Sequence, residues 1–108
     1  MNIPEINVIQ LKERLDNNND FILLDVRTEV EVLTSSISSK AIHIPMNEIP
    51  NKLNELNKNK EIIIHCKSGK RSKKVCEYLI NNQFNNVKNL YGGIIAWSNK
   101  IDSTIIVL

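Results

Sequence analysis

Short apolar runs alternate with helix-like segments along this chain, and the alternation limits the folds that are open to it. The runs "FILLDV" at 21–26 and "AIHIP" at 41–45 have the length and composition of strands. The run "EIIIHC" at 61–66 is the most strand-like segment, since its centre is entirely β-branched. A segment with helical spacing of apolar residues follows at 72–82. This order predicts an α/β domain with a parallel sheet of about five strands, flanked by helices on both faces.

Further elements are predicted on either side of these runs. The opening "INVIQLKERLDNNN" predicts a short strand that leads into a helix, and "NEIPNKLNELNKN" at 47–59 places apolar residues at helical spacing. Near the end of the chain, "NVKNLYGG" predicts a strand that stops at a glycine pair, and "IIAWSNK" predicts a closing helix. There is no internal repeat and no linker, so we expect a single domain over 1–108.

Charge and cysteine content exclude several classes of protein. The net charge of +2 is too small to predict binding to nucleic acid or to a membrane surface. No apolar run is long enough to span a bilayer, and the first residues lack the layout of a signal peptide. Two cysteines, Cys66 and Cys76, form neither a disulfide framework nor a metal-ligand motif, so no metal or cofactor is expected. We expect a reducing compartment: the cytoplasm, or the plastid stroma if the gene lies in the organelle.

Cys66 lies where a strand ends and a cationic turn, "KSGKRS", begins. Active sites of open parallel sheets lie beyond the carboxyl ends of the strands. A helix that begins near Ser72 would direct unpaired N–H groups and its positive dipole end at the sulfur, and the loop 67–71 adds three cationic side chains, on Lys67, Lys70 and Arg71. Gly69 would allow a tight turn with exposed amides. These features predict a lowered pKa for Cys66 and a reactive thiolate. The alternative is a small core residue at a strand end.

Four segments of the chain resemble the conserved motifs of the rhodanese family. The loop "IIIHCKSGKRS" resembles its active-site loop, a strand followed by Cys, two residues, Gly, one residue, Arg and Ser. "LLDVRTEVEV", "AIHIP" and "LYGGIIAW" are similar to three further segments, in the family's order. The residues that match these patterns are Asp25, Arg27, Glu31, Cys66, Gly69, Arg71, Ser72, Gly92, Gly93 and Trp97. The end of the chain is also similar to the C-terminal rhodanese domain of E1-like adenylyltransferases for molybdopterin and thiamine biosynthesis.

The resemblance implies a sulfurtransferase that forms a persulfide on Cys66. The donor would be thiosulfate or a protein persulfide, and the acceptor a thiol, cyanide or a sulfur-carrier protein. An E1-like adenylyltransferase domain is a candidate partner. The active-site loop Lys67, Ser68, Gly69, Lys70 and Arg71 would hold the terminal sulfur through its backbone amides. Arg71 would orient an oxyanion of the donor, and Lys67 and Lys70 would attract it.

Other polar residues near these motifs are expected to support the site. Asp25 and Arg27 are assigned to an ion pair or capping contact near its mouth, with Glu31 as a candidate partner of Arg27, and Ser72 also belongs to this structural support. His65 is expected to be a packed core histidine, because adjacent side chains of a strand point to opposite faces.

Cys76 lies on the apolar stripe of its helix, so a core position is favoured over a resolving thiol.

Two other functions stay open at this point. Phosphatases and arsenate reductases of related fold place Arg after five residues, whereas four separate Cys66 from Arg71 and Ser72 occupies the next position. The first alternative is therefore a phosphatase or arsenate reductase, which this spacing disfavours. The second is a catalytically silent module that only binds a protein partner, although silent copies commonly lose the cysteine that this chain keeps. The chain departs from the family pattern at Val32 and in the loop 33–40, where Ser35 and Ser36 replace Gly and His.

Overall fold

The computed structural model describes residues 1–108 and shows five parallel strands in the order β1-β5-β4-β2-β3. The predicted α/β class and the five-stranded parallel sheet are confirmed. No helix in it is both long enough and apolar enough to cross a membrane. The strands are β1 (Glu5–Ile6), β2 (Ile22–Asp25), β3 (Ile42–His43), β4 (Ile62–His65) and β5 (Val87–Leu90). The α-helices are α1 (Val8–Asp16), α2 (Glu29–Thr34), α3 (Lys70–Asn81) and α4 (Gly93–Lys100).

Strand β4 forms the centre of the sheet and is buried on both faces. Ile62 and Ile64 pack into a core on one side, with side chains of α3, and Ile63 packs into a second core on the other. The second core includes residues of α1 and α4. Because successive side chains of a strand alternate between faces, three consecutive isoleucines require helices on both sides of the sheet.

The helix after Cys66 begins earlier than the sequence predicts. It starts at Lys70, not near Ser72, because Gly69 takes a left-handed conformation (φ +104°) and turns the chain into the helix. Lys70 and Arg71 therefore lie in the first turn of α3, and only residues 67–69 form the loop. The shorter loop brings the unpaired amides of the helix end closer to the end of β4.

The segment 47–59 does not form the α-helix that its apolar spacing predicts. It contains two 3-10 helices, Met46–Asn51 and Leu53–Glu55. Pro50 lies inside the first and cannot donate a backbone hydrogen bond, which limits the segment to short turns. Ile49 and Leu56 still pack in the core, so the apolar pattern identified the buried side chains correctly.

Candidate active site

The sulfur of Cys66 lies in a buried position directly beyond the end of β4. The residue is 1% exposed. The backbone N–H of Gly69 donates to Sγ at 3.1 Å, and the hydroxyl of Ser72 lies 3.3 Å from the same sulfur. The chain from 67 to 72 thus curves around the sulfur and presents donor groups to it, which is the arrangement of an anion-binding nest.

The glycine pair at the start of α4 holds this loop in place. The N–H groups of Ile94 and Ile95 donate to the carbonyls of Cys66 and Lys67 at 3.0 and 3.1 Å. Gly93 has a φ of +57°, and a Cβ there would lie 2.4 Å from the carbonyl oxygen of Lys67. Only glycine allows the two backbones to approach so closely, which explains the second glycine of the pair in physical terms.

Hydrogen bonds lower the pKa of Cys66. Burial raises the pKa of the thiol, but the Ser72 hydroxyl and the backbone N–H groups of Ser72, Gly69 and Ser68 outweigh it and give a net decrease. The sequence also predicts a lowered pKa for Cys66. It attributes part of the decrease to the charges of the neighbouring lysines, whereas in the structure the decrease comes from direct hydrogen bonds to the sulfur.

The second cysteine has the opposite environment. Cys76 is fully buried on the core face of α3, as the sequence predicts, and burial raises its pKa to about 12. The two thiols are therefore strongly differentiated, and Cys76 is a packed core residue.

Arg71 is held at the mouth of the site by Glu31. The guanidinium donates to both carboxylate oxygens of Glu31, at 2.7 and 2.9 Å. The expected contact between Glu31 and Arg27 is present only through the backbone, where Arg27 Nη1 lies 3.5 Å from the carbonyl oxygen of Glu31. The Glu31 carboxylate instead faces α3 and also accepts from the N–H of Thr28 in the cap of α2. The hydrogen bond from Arg71 lowers the pKa of Glu31 to about 2.

A buried ion pair lies at the carboxyl end of the neighbouring strand, β2. Arg27 and Asp25 are both buried, and their Nη2 and Oδ2 atoms lie 2.8 Å apart, so the predicted pair is present. Arg27 also donates to the carbonyl of Ser35 at 2.7 Å, which ties the end of α2 to this strand end. His65 is fully buried as predicted, and burial lowers its pKa, so the ring is neutral near Asp25.

The surface around the start of α3 is cationic, and an open cleft adjoins Arg71. Lys70, Lys73 and Lys74 are exposed, while Lys67 is partly buried. The cleft has a volume of about 330 Å³ and is lined by Val26, Thr28, Pro45, Met46, Asn47 and Arg71. No group of three metal-ligating side chains occurs in the chain.

Asn89 is a site residue that the sequence argument missed. It lies on β5, is buried, and accepts a hydrogen bond from Ser72 at 2.5 Å. Its side-chain nitrogen donates to the carbonyl of Gly69 at 3.1 Å. The signal was an amide side chain inside the buried strand "VKNL", where an apolar residue is expected.

Comparisons with known proteins agree with these features. The family model described as "Rhodanese-like domain" matches residues 7–100. A sulfurtransferase of Allochromatium vinosum is 38% identical over 96 residues, which cover 89% of each chain. The putative sulfurtransferase YtwF of Bacillus subtilis is 42% identical over 97 residues, covering 90% of this chain and 92% of that one. The crystal structure of a rhodanese-like domain protein from Staphylococcus aureus superposes with a TM-score of 0.82 at 39% identity, covering 88% of this chain and 91% of that one.

More distant similarity extends to proteins with additional parts. An adenylyltransferase and sulfurtransferase of Meyerozyma guilliermondii is 29% identical over 96 residues, which are 82% of this chain but only 22% of that protein. The similarity to rhodanese domains of such adenylyltransferases, expected from the end of the chain, is therefore present but partial.

Proposed function

The chain belongs to the rhodanese family and is a rhodanese-type sulfurtransferase, and we propose that Cys66 carries the transferred sulfur as a persulfide. The observation that carries this proposal is the position of the Cys66 sulfur, which receives the Gly69 N–H at 3.1 Å and has a lowered pKa. A thiolate in a nest of donors is a prepared nucleophile for sulfur.

The reaction proceeds in two displacements. The Cys66 thiolate attacks the outer sulfur of the donor, the S–S bond of the donor breaks, and the remaining electron pair leaves on sulfite or on a donor thiolate. The new S–S bond leaves a negative charge on the terminal sulfur of the persulfide. An acceptor nucleophile then attacks that sulfur, and Cys66 leaves as a thiolate. The amides of residues 67–71 are proposed to hold the negative terminal sulfur.

The donor is proposed to be thiosulfate or a protein persulfide, and the loop charges distinguish the two. An oxyanion of thiosulfate would compete with Glu31 for Arg71, because the two Nη atoms of the guanidinium already donate to that carboxylate. An acidic protein surface can instead approach Lys70, Lys73 and Lys74, which are exposed, without breaking that pair. A sulfur-carrier protein, a thiol or cyanide would be the acceptor, and an adenylyltransferase domain remains a proposed partner.

The test is a loading and unloading experiment followed by intact mass. Incubation with thiosulfate, or with a desulfurase that carries a persulfide, should add one sulfur atom to the protein, and cyanide should remove it. A protein that gains no sulfur from either donor would be a silent binding module. Release of phosphate from aryl phosphates by the same protein would instead support the phosphatase alternative, which the four-residue spacing between Cys66 and Arg71 disfavours.

A further inference from the structure

The Ser72 hydroxyl lies between two atoms that can each accept its hydrogen bond, the sulfur of Cys66 and Oδ1 of Asn89. Its oxygen is 3.3 Å from the Cys66 sulfur and 2.5 Å from Oδ1 of Asn89. All three residues are at most 2% exposed, so water does not compete for these contacts. A hydroxyl has a single proton to donate, and Ser72 therefore serves either the sulfur or the amide, but not both.

The orientation of the Asn89 amide follows from its other neighbours. Its nitrogen lies 3.1 Å from the carbonyl oxygen of Gly69 and 3.2 Å from a carboxylate oxygen of Glu5. Both neighbours are acceptors, so a flipped amide would place an oxygen against two oxygens. The oxygen of Asn89 thus faces Ser72 and accepts from it.

We propose that Asn89 is a positioning residue that competes with the Cys66 sulfur for the Ser72 proton. While Cys66 is a thiol, its S–H donates to Ser72 and Ser72 donates to Asn89, so every group is paired. When the thiolate forms, the Ser72 proton turns to the sulfur and the Asn89 oxygen loses its donor. Asn89 therefore favours the thiol, and Ser72 favours the thiolate.

If Cys66 carries the sulfur, as proposed above, this competition favours the loading of sulfur onto it. In the persulfide, the Cys66 sulfur is divalent and the negative charge lies on the outer sulfur, so the Ser72 proton can return to Asn89. Asn89 thus makes the free thiolate less stable relative to the loaded form. A thiolate that is less stabilised by donors is also the stronger nucleophile.

Several charged and titratable groups face Cys66, and all of them are kept in the variants below. Arg71 and Cys76 face it from α3, Lys67 and Lys70 flank it along the chain, and Glu5 of β1 contacts Asn89. Because these groups stay constant, a change between variants reports on Ser72 and Asn89.

The experiment measures the pKa of Cys66 from the pH dependence of alkylation, with no sulfur donor present. Ser72→Ala should raise it by about one pKa unit, because the thiolate loses a hydrogen bond. Asn89→Leu should lower it by roughly half a unit, because ionisation no longer breaks the neutral hydrogen bond from Ser72 to Asn89. Leucine leaves Gly69 paired, because its carbonyl also accepts from the N–H of Lys73. Asn86→Leu, an exposed change next to the same strand, should have no effect.

The double variant Ser72→Ala/Asn89→Leu separates two routes of action. If Asn89 acts through Ser72, replacing Asn89 should no longer change the pKa of Cys66 when Ser72 is already replaced by alanine. An equal shift in both backgrounds would mean that Asn89 acts only by tethering Gly69, and would overturn the proposal. So would an unchanged or raised pKa in Asn89→Leu. Since the readout is alkylation, failure of persulfide formation would not be mistaken for failure of this inference.

A second measurement needs no change at Asn89. In the NMR spectrum of the unaltered protein, the side-chain amide signals of Asn89 should shift at the pH where Cys66 ionises, and the shift should largely vanish in Ser72→Ala. Signals that do not move, or that move equally in both proteins, would contradict the competition.

Discussion

The guanidinium of Arg71 and the carboxylate of Glu31 form a two-pronged ion pair across the mouth of the site, at 2.7 and 2.9 Å. The pair joins the first turn of α3 to α2. It gives Arg71 a fixed direction, and it commits one contact from each Nη atom to Glu31. If the donor is a small anion, as proposed, we expect its capture to depend on Glu31 as well as on Arg71.

Replacing Glu31 should release Arg71 for an anionic donor. In Glu31→Gln the side chain keeps its cap contact but loses its charge, so we expect the KM for thiosulfate to fall by about threefold, corresponding to less than 1 kcal/mol. Steady-state kinetics with thiosulfate check this. Glu29→Gln, an exposed change in the same helix, is the control. A KM that rises in Glu31→Gln alone would mean that the ion pair holds Arg71 in its productive position.

Changes at Arg71 and Lys70 should separate geometry from charge. Arg71→Lys keeps the charge but loses the planar fork, and we expect transfer efficiency to fall about tenfold or more, on the order of 1.4 kcal/mol. Lys70→Ala should mainly weaken donor capture, with an effect that shrinks as salt rises. The measurement is kcat/KM at several ionic strengths. Equal losses with equal salt dependence would show that Lys70 and Arg71 act only as a diffuse positive field.

The Glu31–Arg71 pair should also make stability depend on pH. The pKa of Glu31 is about 2 in the folded protein and lies near its ordinary value of 4.5 in the unfolded chain. The pair's contribution to the free energy of unfolding is therefore complete above pH 4.5 and is lost as the pH falls toward 2. Because Arg71 is partly exposed, we expect no more than about 1 kcal/mol. Urea unfolding of the wild type and of Glu31→Gln should give curves that converge over this range; a constant difference would exclude the linkage.

Gly93 should be intolerant of a side chain. Gly93→Ala requires a left-handed alanine whose Cβ overlaps the carbonyl of Lys67, and we expect a loss of about 3 kcal/mol in the free energy of unfolding. The displaced loop should also raise the pKa of Cys66. Gly92→Ala is the matched comparison: it is also strained, with φ +79° and a Cβ 2.6 Å from the Cβ of Ala96, but that clash lies within α4 and does not involve Lys67. Thermal unfolding and alkylation rates measure the two effects; an unchanged Cys66 pKa in Gly93→Ala would show that α4 does not hold the loop.

The parts of this structure that the sequence predicts are those set by local pattern. Three β-branched residues before Cys66 predicted a strand buried on both faces, and Gly69 predicted the turn that follows it. The start of α3 was predicted too late, because Gly69 begins the helix before the first apolar residue of the pattern. The α-helix predicted around Pro50 is replaced by 3-10 turns, because proline cannot donate the backbone hydrogen bond that an α-helix needs there.

Contacts between distant segments could not be predicted in the same way. The partner of Glu31 lies 40 residues further along the chain, and Asn89 reaches Ser72 only because β5 pairs with β4. Such partners depend on the packing of the elements, and no spacing within one segment encodes them.

The central claim is that sulfur is carried on Cys66, and intact mass after incubation with thiosulfate or a persulfide donor tests it most directly. The wild type and Cys76→Ser should each gain the mass of one sulfur atom and lose it again with cyanide, because Cys76 is a buried thiol whose pKa is raised to about 12. Cys66→Ser should gain none. Sulfur retained by Cys66→Ser and lost from Cys76→Ser would contradict the account.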